Sequence, residues 1–374
     1  MKVLMVGPIE KAGGVSTHTK ELTRALKKLG VEVEIYNISP NKEYPGIISN
    51  IIKLYKRTVG LSLKLVRDSE KFDLIHVQAS GPLGGFLPAP VGVLWKKILG
   101  YKLVVTFHYS WESFYSKYRH MLSLIIKFSD KFIVVSHRNK RLITKYIPRS
   151  LSRRILVVYN GFSSDIFKPM DKNIARKLLD IPPDAKVIVN IANLVEHKGH
   201  KYLIEAVKML REQVPKLKCY VIGKGHMYQE LSRLIEQYNL KKHVKLTGWM
   251  PLEKIILYLN SADVFVFPSL PQGESFGIVQ IEAMGCGVPV VATKNGVSEE
   301  IIVSEDYGLL CEPANPKDLA EKILIALDRE WDREKIRKYA EQFTWDRIAK
   351  KTLEVYSMVI KNEHNEYMEE YMEK

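Results

Sequence analysis

Residues 268–293, PSLPQGESFGIVQIEAMGCGVPVVAT, contain a polar loop and a short helical stretch and end in an apolar strand. The run DVFVFPS at 263–269, which leads into the loop, and the closing PVVAT at 289–293 are short and apolar, as doubly covered strands are. A strand, a helix and another strand predict parallel pairing, because the crossover helix returns the chain to the same end of the sheet. The segment therefore indicates the α/β class.

The same alternation extends outward over the whole chain. Further strands are predicted at 2–6, 31–38, 186–192, 218–223 and 243–248, and at apolar runs ending near 78, 109 and 137. Predicted helices lie between them, at 17–29, 47–66, 202–213, 231–240 and 345–360. We predict an α/β fold of two doubly wound domains facing a central cleft, with ligands at the carboxyl ends of the strands. The predicted domains are 1–165 and 166–345, followed at 346–374 by a helix crossing back to the first domain and a polar tail.

Composition excludes several classes of protein. The 374 residues are 46% apolar and 26% charged, as in an ordinary globular protein of two domains. Three scattered cysteines make a disulfide framework or a cysteine zinc site unfavourable. The start MKVLMVG is too short for a signal peptide, and prolines and glycines interrupt the uncharged stretch 76–95. We therefore expect a cytoplasmic protein that crosses no membrane.

The charge is strongly asymmetric. Residues 1–168 contain 28 Lys and Arg against 11 Asp and Glu, a net +17, whereas the remaining residues sum to −2. A cationic half suits nucleic acid, an anionic membrane or an anionic substrate, although a merely solvated basic surface is the plain alternative. Near 47–67, apolar residues at helical spacing lie opposite Lys53, Lys56 and Arg57, and 111–128 is a second amphipathic stretch. For the stretch near 47–67, the alternative is a helix that packs on a sheet and has a solvated basic face.

Glu274 and Glu282 are the carboxylates of the opening segment. With a helix starting at Ser275 or Phe276, eight residues separate them by about 12 Å, too far for an acid and base acting on one glycosidic bond. That distance suits a sugar and a ribose on either side of a diphosphate. The alternative makes Glu274 a helix-start charge and Glu282 one member of a structural ion pair.

The helix start would also present free amides to phosphate or sugar oxygens. These amides belong to Phe276, Gly277 and Ile278.

The segment resembles the glutamate pair of retaining GT-B glycosyltransferases, specifically glycosyltransferase family 4. Four further stretches resemble motifs of that family in the same order. They are KAGGVSTHT at 11–19, VVYNGFSSDIFKP at 157–169, ANLVEHKGHKYLIEAV at 192–207 and VKLTGWMP at 244–251. The resemblance spans nearly the whole chain and implies two Rossmann-like domains.

The resemblance implies a role for each matching residue. Glu274 would bind the donor sugar, Glu282 the ribose, and Lys198 the donor diphosphate. The Gly13–Gly14 backbone would approach the same phosphates, and His108 would lie near the sugar. An arginine usually precedes the lysine by five residues, but Asn193 stands there and cannot supply the charge.

Trp249 and Met250 would flank the donor base.

Plainer interpretations exist for these residues. His108 is open to interpretation as a core histidine, Lys198 as a surface charge and Gly13–Gly14 as a turn. The glycine loop does not fit the dinucleotide fingerprint. His197 and His200 have metal-ligand spacing but no adjacent third ligand, so we expect loop residues there and no metal.

The family therefore implies a retaining, metal-independent glycosyltransferase that uses a UDP-, GDP- or ADP-linked sugar as co-substrate and needs no other cofactor. Its acceptor would be a carbohydrate or a lipid-linked molecule. A nucleotide-sugar 2-epimerase shares the fold and is the alternative enzyme. A nucleic-acid-binding protein ranks last, because the basic residues form no recognised module. For the basic half we expect peripheral binding to the inner face of the cell membrane.

Overall fold

The computed structural model describes residues 1–9, 13–40, 46–81 and 85–361. It divides into two compact units. The first unit is Met1–Gly161 together with the segment that begins at Trp345, and the second is Phe162–Thr344. The predicted polar tail at 362–374 lies outside the described residues, as do Lys11 and Ala12 of the predicted glycine loop.

A six-stranded parallel sheet forms the centre of the first unit, in the order β2-β1-β3-β4-β5-β6. Its strands are β1 (Lys2–Gly7), β2 (Glu32–Asn37), β3 (Leu74–Ala79), β4 (Leu103–Phe107), β5 (Lys131–Val134) and β6 (Ile155–Val157). Its helices are α1 (Gly14–Lys28), α2 (Gly46–Arg57), α3 (Val59–Asp68), α4 (Pro88–Leu99), α5 (Glu112–Lys117), α6 (Arg119–Phe128), α7 (His137–Thr144) and, from the C-terminal segment, α16 (Trp345–Lys361).

Both faces of this sheet are covered, because successive side chains of each strand point to opposite faces. Val3 and Met5 of β1 belong to one core, which includes residues of α1 and α16. Leu4 and Val6 belong to the opposite core, which includes residues of α3, α4 and α6. The near-continuous apolar strands read from the sequence therefore follow from burial on two sides.

The second unit repeats this architecture with the sheet order β12-β11-β10-β7-β8-β9. Its strands are β7 (Lys186–Ile191), β8 (Leu217–Ile222), β9 (Val244–Gly248), β10 (Val264–Phe267), β11 (Val290–Thr293) and β12 (Gly308–Cys311). Its helices are α8 (Lys172–Leu178), α9 (His200–Leu210), α10 (Tyr228–Gln237), α11 (Leu252–Ser261), α12 (Ile278–Gly285), α13 (Ser298–Ile301), α14 (Pro316–Asp328) and α15 (Arg333–Ala340). The chain moves from β7 to β8 and β9 on one side, and then continues from β10 on the other side of β7. The strand order thus reverses between β7 and β10, where open α/β sheets bind ligands.

The prediction of two Rossmann-like α/β domains is confirmed, while several element boundaries were wrong. The helix predicted at 47–66 is two helices separated at Thr58, and α1 begins at Gly14 rather than Thr17. The helix of the opening segment begins at Ile278, later than the predicted Ser275 or Phe276. Strand β12 was not predicted.

Candidate functional site

Lys198 and Glu274 form an ion pair at the carboxyl ends of two adjacent strands. Lys198 follows β7, Glu274 follows β10, and the Lys198 Nζ atom donates to Glu274 Oε2 at 2.6 Å. Glu274 is only 5% exposed, and the Lys198 ammonium also lies 5.6 Å from the centre of the Phe267 ring. The pair therefore brings one anionic and one cationic group to the point where the strand order of the second unit reverses.

Backbone contacts hold these two loops together. The Leu270 amide donates to the His197 carbonyl at 2.7 Å. Gly199, directly after Lys198, has φ +69°, and a Cβ atom there would lie 2.0 Å from the Pro268 carbonyl oxygen. A side chain at 199 would push the loops apart, so the glycine permits the close approach that joins Lys198 to Glu274.

The start of α12 lies just beyond this pair. Gly277 precedes the helix with φ +78°, and no side chain caps the first turn. Phe276 packs its buried ring against Phe343, with ring centres 6.3 Å apart. Because the helix begins at Ile278, Glu274 belongs to the loop, and the predicted 12 Å helical separation from Glu282 was based on a wrong helix start.

Glu282 lies one turn into α12 and is half-buried. Burial raises the pKa of its carboxyl group to about 7. Among the described residues, no ion pair or hydrogen bond to this carboxylate is present, so none of them supports the ion-pair alternative for Glu282. A carboxyl group without a partner among these residues suits a ligand that supplies hydroxyl donors.

The remaining second-unit residues lie at the same edge of the sheet. Asn193 follows β7 with an exposed side chain, whereas Trp249 and Met250 follow β9 at the end of the sheet. His200 is the buried first residue of α9 rather than a loop residue, and burial lowers its pKa to about 4. His197 is half-buried, and desolvation also lowers its pKa.

Gly13, Gly14 and His108 belong to the first unit, where each follows the carboxyl end of a strand. Gly13 immediately precedes α1, and Cβ atoms added at Gly13 or Gly14 would meet no atom of the described chain within 4 Å. The backbone is thus open to close approach there, as the resemblance requires. His108 directly follows β4 and is 8% exposed.

His108 belongs to a buried polar network that the sequence analysis missed. Its Nε2 atom donates to Gln78 Oε1 at 2.8 Å, and the Gln78 amide in turn donates to Nε2 of His76 at 3.2 Å. His76 also bonds the Thr106 hydroxyl through Nε2 at 2.7 Å and the Tyr356 hydroxyl through Nδ1 at 2.6 Å. Desolvation lowers the pKa of His108 well below its ordinary value and that of His76 to about 3, so both rings are neutral at pH 7.

His18 of α1 contacts the same network. Its ring lies 4.5 Å from the His108 ring, and its Nδ1 atom bonds Asn160 Oδ1 at 2.8 Å. Its Nε2 atom is buried without a hydrogen-bond partner among the described residues. The signal for His18 was available in the sequence, because it shares the buried stripe of α1 with Leu22 and Leu26.

Comparison with known proteins gives the family. Residues 12–165 match the model described as Glycosyltransferase Family 4, and residues 171–343 match the model described as Glycosyl transferases group 1. The chain belongs to the family 4-like glycosyltransferases of the GT-B fold. It is therefore a transferase enzyme, and the loops that hold Lys198 and Glu274 lie within the group 1 match.

Relatives of this glycosyltransferase align over nearly the whole chain. An uncharacterized glycosyltransferase of Methanocaldococcus jannaschii is 28% identical over 95% of this chain and 98% of its own length. A phosphatidylinositol N-acetylglucosaminyltransferase subunit of Arabidopsis thaliana is 26% identical over 100% of this chain and 85% of its own.

Solved structures share the fold of this glycosyltransferase. Sucrose-phosphate synthase of Thermosynechococcus elongatus has a TM-score of 0.79 at 22% identity, covering 97% of this chain and all of its own. Anabaena HepE in complex with UDP-glucose has a TM-score of 0.73 at 22% identity, covering 96% and 99%. At this identity the likeness extends to the fold, while function depends on the site residues.

Proposed function

We propose that this protein is a retaining, metal-independent glycosyltransferase that moves a sugar from a nucleotide-sugar donor to a carbohydrate or lipid-linked acceptor. The observation that carries the proposal is the ion pair of Lys198 and Glu274 at the strand-order reversal of the second unit. A nucleotide sugar carries both complements of that pair, since its diphosphate attracts the ammonium and its sugar hydroxyls donate to the carboxylate. HepE, of the same fold, has been solved with UDP-glucose.

The chemistry follows from where charge develops. When the bond between the anomeric carbon and the diphosphate oxygen breaks, that oxygen keeps the electron pair and the sugar becomes cationic. Lys198 and the uncapped first turn of α12 stabilise the new anion. The acceptor oxygen bonds to the same face of the anomeric carbon, and its proton passes to the departing phosphate oxygen. No bound cation enters this sequence.

The proposal assigns the other residues the roles that the resemblance implies. Glu282 bonds the ribose, Trp249 and Met250 flank the base, and the Gly13 and Gly14 backbone approaches the phosphates. His108 lies near the sugar. Phe276, Gly277 and Ile278 contribute the backbone of the first turn of α12, and Asn193 takes the place of the usual arginine without its charge.

We further propose that the enzyme works on the cytoplasmic face of a membrane, in the synthesis of a glycolipid or polysaccharide. Among the described residues, no helix is long and apolar enough to cross a bilayer. The Arabidopsis relative is named for transfer to phosphatidylinositol, which supports a lipid-linked acceptor.

The donor is tested by the thermal shift of the protein with a panel of UDP-, GDP- and ADP-sugars, followed by incubation of the stabilising sugar with candidate acceptors. The expected result is a glycoside with the anomeric configuration of the donor, formed at an unchanged rate in EDTA. Conversion of the sugar in the absence of any acceptor would identify a 2-epimerase instead. Inhibition by EDTA that added divalent cation reverses would contradict metal independence.

A further inference from the structure

Four helices of the first unit turn apolar side chains toward solvent. Among the described residues, fifteen large apolar side chains are more than half exposed, and eleven of them belong to α2, α3, α4 and α6. We call this set the apolar face. It consists of Ile47, Ile48, Ile51, Leu54, Tyr55, Val59, Leu63, Val66, Leu94, Ile98 and Leu124.

Helix α2 turns its apolar side chains toward solvent, whereas a helix that packs on a sheet turns them toward the sheet. No residue of α2 is buried, and Ile47 is 78% exposed. Lys56 turns inward instead, since its Nζ atom donates to the Ser39 carbonyl at 2.7 Å, and Arg57 is half-buried. The sheet-packing alternative of the sequence analysis is therefore wrong for α2, because a globular helix buries its apolar stripe.

Neighbouring helices of these four pack against one another, so the residues of the apolar face lie on adjacent helices. Helix α2 contacts α3, α3 contacts α4, and α4 contacts α6. Helices α3, α4 and α6 bury the opposite stripe in the core of the first unit, with Leu65, Val93 and Ile125 among the buried residues. Eleven exposed apolar side chains on adjacent helices indicate an interaction surface, since soluble monomers rarely expose large apolar patches.

The charges on these helices select the partner. Together α2, α3, α4 and α6 carry nine Lys and Arg and a single acidic residue, Asp68. Asp68 is 3% exposed and is already paired with Lys64, Arg67 and Lys71. Exposed cations, Lys97, Arg119 and Lys127, lie on the same helices as apolar-face residues. The surface therefore combines aliphatic side chains with a one-sided positive charge.

We propose that the apolar face binds an anionic lipid surface, with its aliphatic side chains inserted at the level of the headgroups. Lipid acyl chains accept the apolar groups and anionic headgroups accept the cations. A second copy of the chain would bring like charges together across a self-complementary interface. Nucleic acid offers phosphates but no partner for the exposed aliphatic residues. None of these residues belongs to the proposed donor site, so the inference identifies the surface for the membrane location proposed above and does not rest on the transfer reaction.

Co-sedimentation with vesicles of phosphatidylcholine, with and without 30% phosphatidylglycerol, tests the proposal. We expect binding that requires the anionic lipid and weakens with salt. Ile47→Ser with Ile51→Ser and Leu54→Ser should weaken binding at least tenfold, and α2 tolerates these changes because none of the three is buried. The matched control, Ile174→Ser with Leu178→Ser and Val303→Ser, changes exposed apolar residues of the second unit and should bind as the wild type does.

Substitutions of exposed basic residues provide a second test of the same proposal. Replacing Lys97, Arg119 and Lys127 by Gln should weaken binding to anionic vesicles about fivefold per charge. The same change at three exposed second-unit lysines, Lys177, Lys254 and Lys317, should have little effect. Nucleotide-sugar thermal shifts of all variants should match the wild type, which separates this test from that of the donor site.

Three outcomes would overturn the proposal. One is a wild-type protein that ignores anionic vesicles at low salt. Another is undiminished binding by the α2 variant. The last is a stable dimer in sedimentation equilibrium that the α2 substitutions dissociate and that excludes vesicles, which would make a second copy the occupant.

Discussion

At the scale of single residues, the ion pair of Lys198 and Glu274 makes the two site charges neutralise each other in the free protein. Under the proposed function a donor would part them, with its phosphate bound by Lys198 and its sugar hydroxyls by Glu274. Glu274→Ala should lower turnover by orders of magnitude, because the sugar loses its acceptor. The same change should strengthen binding of the free nucleoside diphosphate about fivefold, since Lys198 loses a competing anion, an effect of roughly 1 kcal/mol.

Calorimetric titration with UDP, GDP and ADP measures that affinity, and initial rates measure turnover. Lys198→Ala should change nucleotide affinity in the opposite direction. It removes the cation and should therefore weaken nucleotide binding. Weaker nucleotide binding by both variants would show that the pair acts as a structural unit and would contradict the division of roles.

Glu282 predicts a pH dependence of donor binding. Its pKa is raised to about 7, and an ionised carboxylate accepts ribose hydroxyls better than a protonated one. Donor affinity should therefore rise about tenfold between pH 6 and pH 8, following the ionised fraction. A nucleotide sugar is the appropriate probe, because its diphosphate does not titrate in this range. Glu282→Gln should abolish the dependence, and a wild type with flat affinity over this range would refute the ribose role.

The site shows what sequence can and cannot supply at this scale. Glu274, Glu282 and Lys198 were predicted as site residues because motif spacing marks single positions, and their roles stay predictions. The ion pair between Lys198 and Glu274 was not predicted. These residues are 76 positions apart, and the contact between their loops depends on the order of the strands in the sheet, which a single sequence does not give. The Gln78 link between His76 and His108 was likewise missed, since it arises from the register of two adjacent strands.

At the scale of elements, the joining of the β7 and β10 loops depends on Gly199. Alanine at 199 must adopt φ +69° and also place its Cβ atom 2.0 Å from a backbone oxygen. Gly248 has φ +77° in the same unit, but a Cβ atom there meets nothing within 4 Å. We expect Gly248→Ala to cost about 1–2 kcal/mol of unfolding free energy and Gly199→Ala above about 3 kcal/mol, with loss of donor binding. Urea unfolding of both variants measures the difference, and equal costs would mean that the loops readily separate.

Element boundaries show why periodicity is an incomplete guide. The apolar stripe at 47–66 was read correctly as helical, but a stripe indicates one face and does not say what covers it. In the structure that stripe faces solvent over α2. Strand β12, which was not predicted, has four residues, GLLC. This length is too short to show the two-residue alternation of a strand. Helix α12 starts late because Gly277 takes a left-handed conformation before it.

At the scale of the whole molecule, buried neutral histidines couple stability to pH. Burial lowers the pKa of His18 and His200 to about 4 and that of His76 to about 3, while His108 is also lowered. The unfolded chain, with histidine pKa values near 6.5, binds more protons than the folded chain below that pH. The stability that these neutral histidines contribute is therefore fully present above about pH 7. It decreases as the pH falls from about 6.5 toward 4. Each histidine contributes a slope of about 1.4 kcal/mol per pH unit.

Glu282 acts in the opposite direction over part of this range. The pKa of its carboxyl group is higher in the folded protein than in the unfolded chain, so its ionisation destabilises the fold as the pH rises through about 7. Between pH 7 and 4.5, its protonation therefore offsets the effect of about one histidine. The four buried histidines, with half-buried His197 shifted in the same direction, outweigh one carboxyl group and leave a net loss of stability on acidification. Calorimetric melting temperatures should fall steadily from pH 6.5 to pH 4.5.

Variants at single histidines assign this loss. His18→Gln should reduce the slope by the contribution of one histidine, because glutamine does not titrate. Its carboxamide is able to donate to Asn160 as the imidazole does, so the hydrogen bond is kept. Asn50→Gln, at an exposed position of α2 without a titrating side chain, is the control and should leave the slope unchanged. Two transitions in calorimetry would report the two units separately, and His18→Gln should then alter the transition of the first unit alone. A melting temperature that stays constant down to pH 4.5 in the wild type would mean that these histidines are charged in the folded protein.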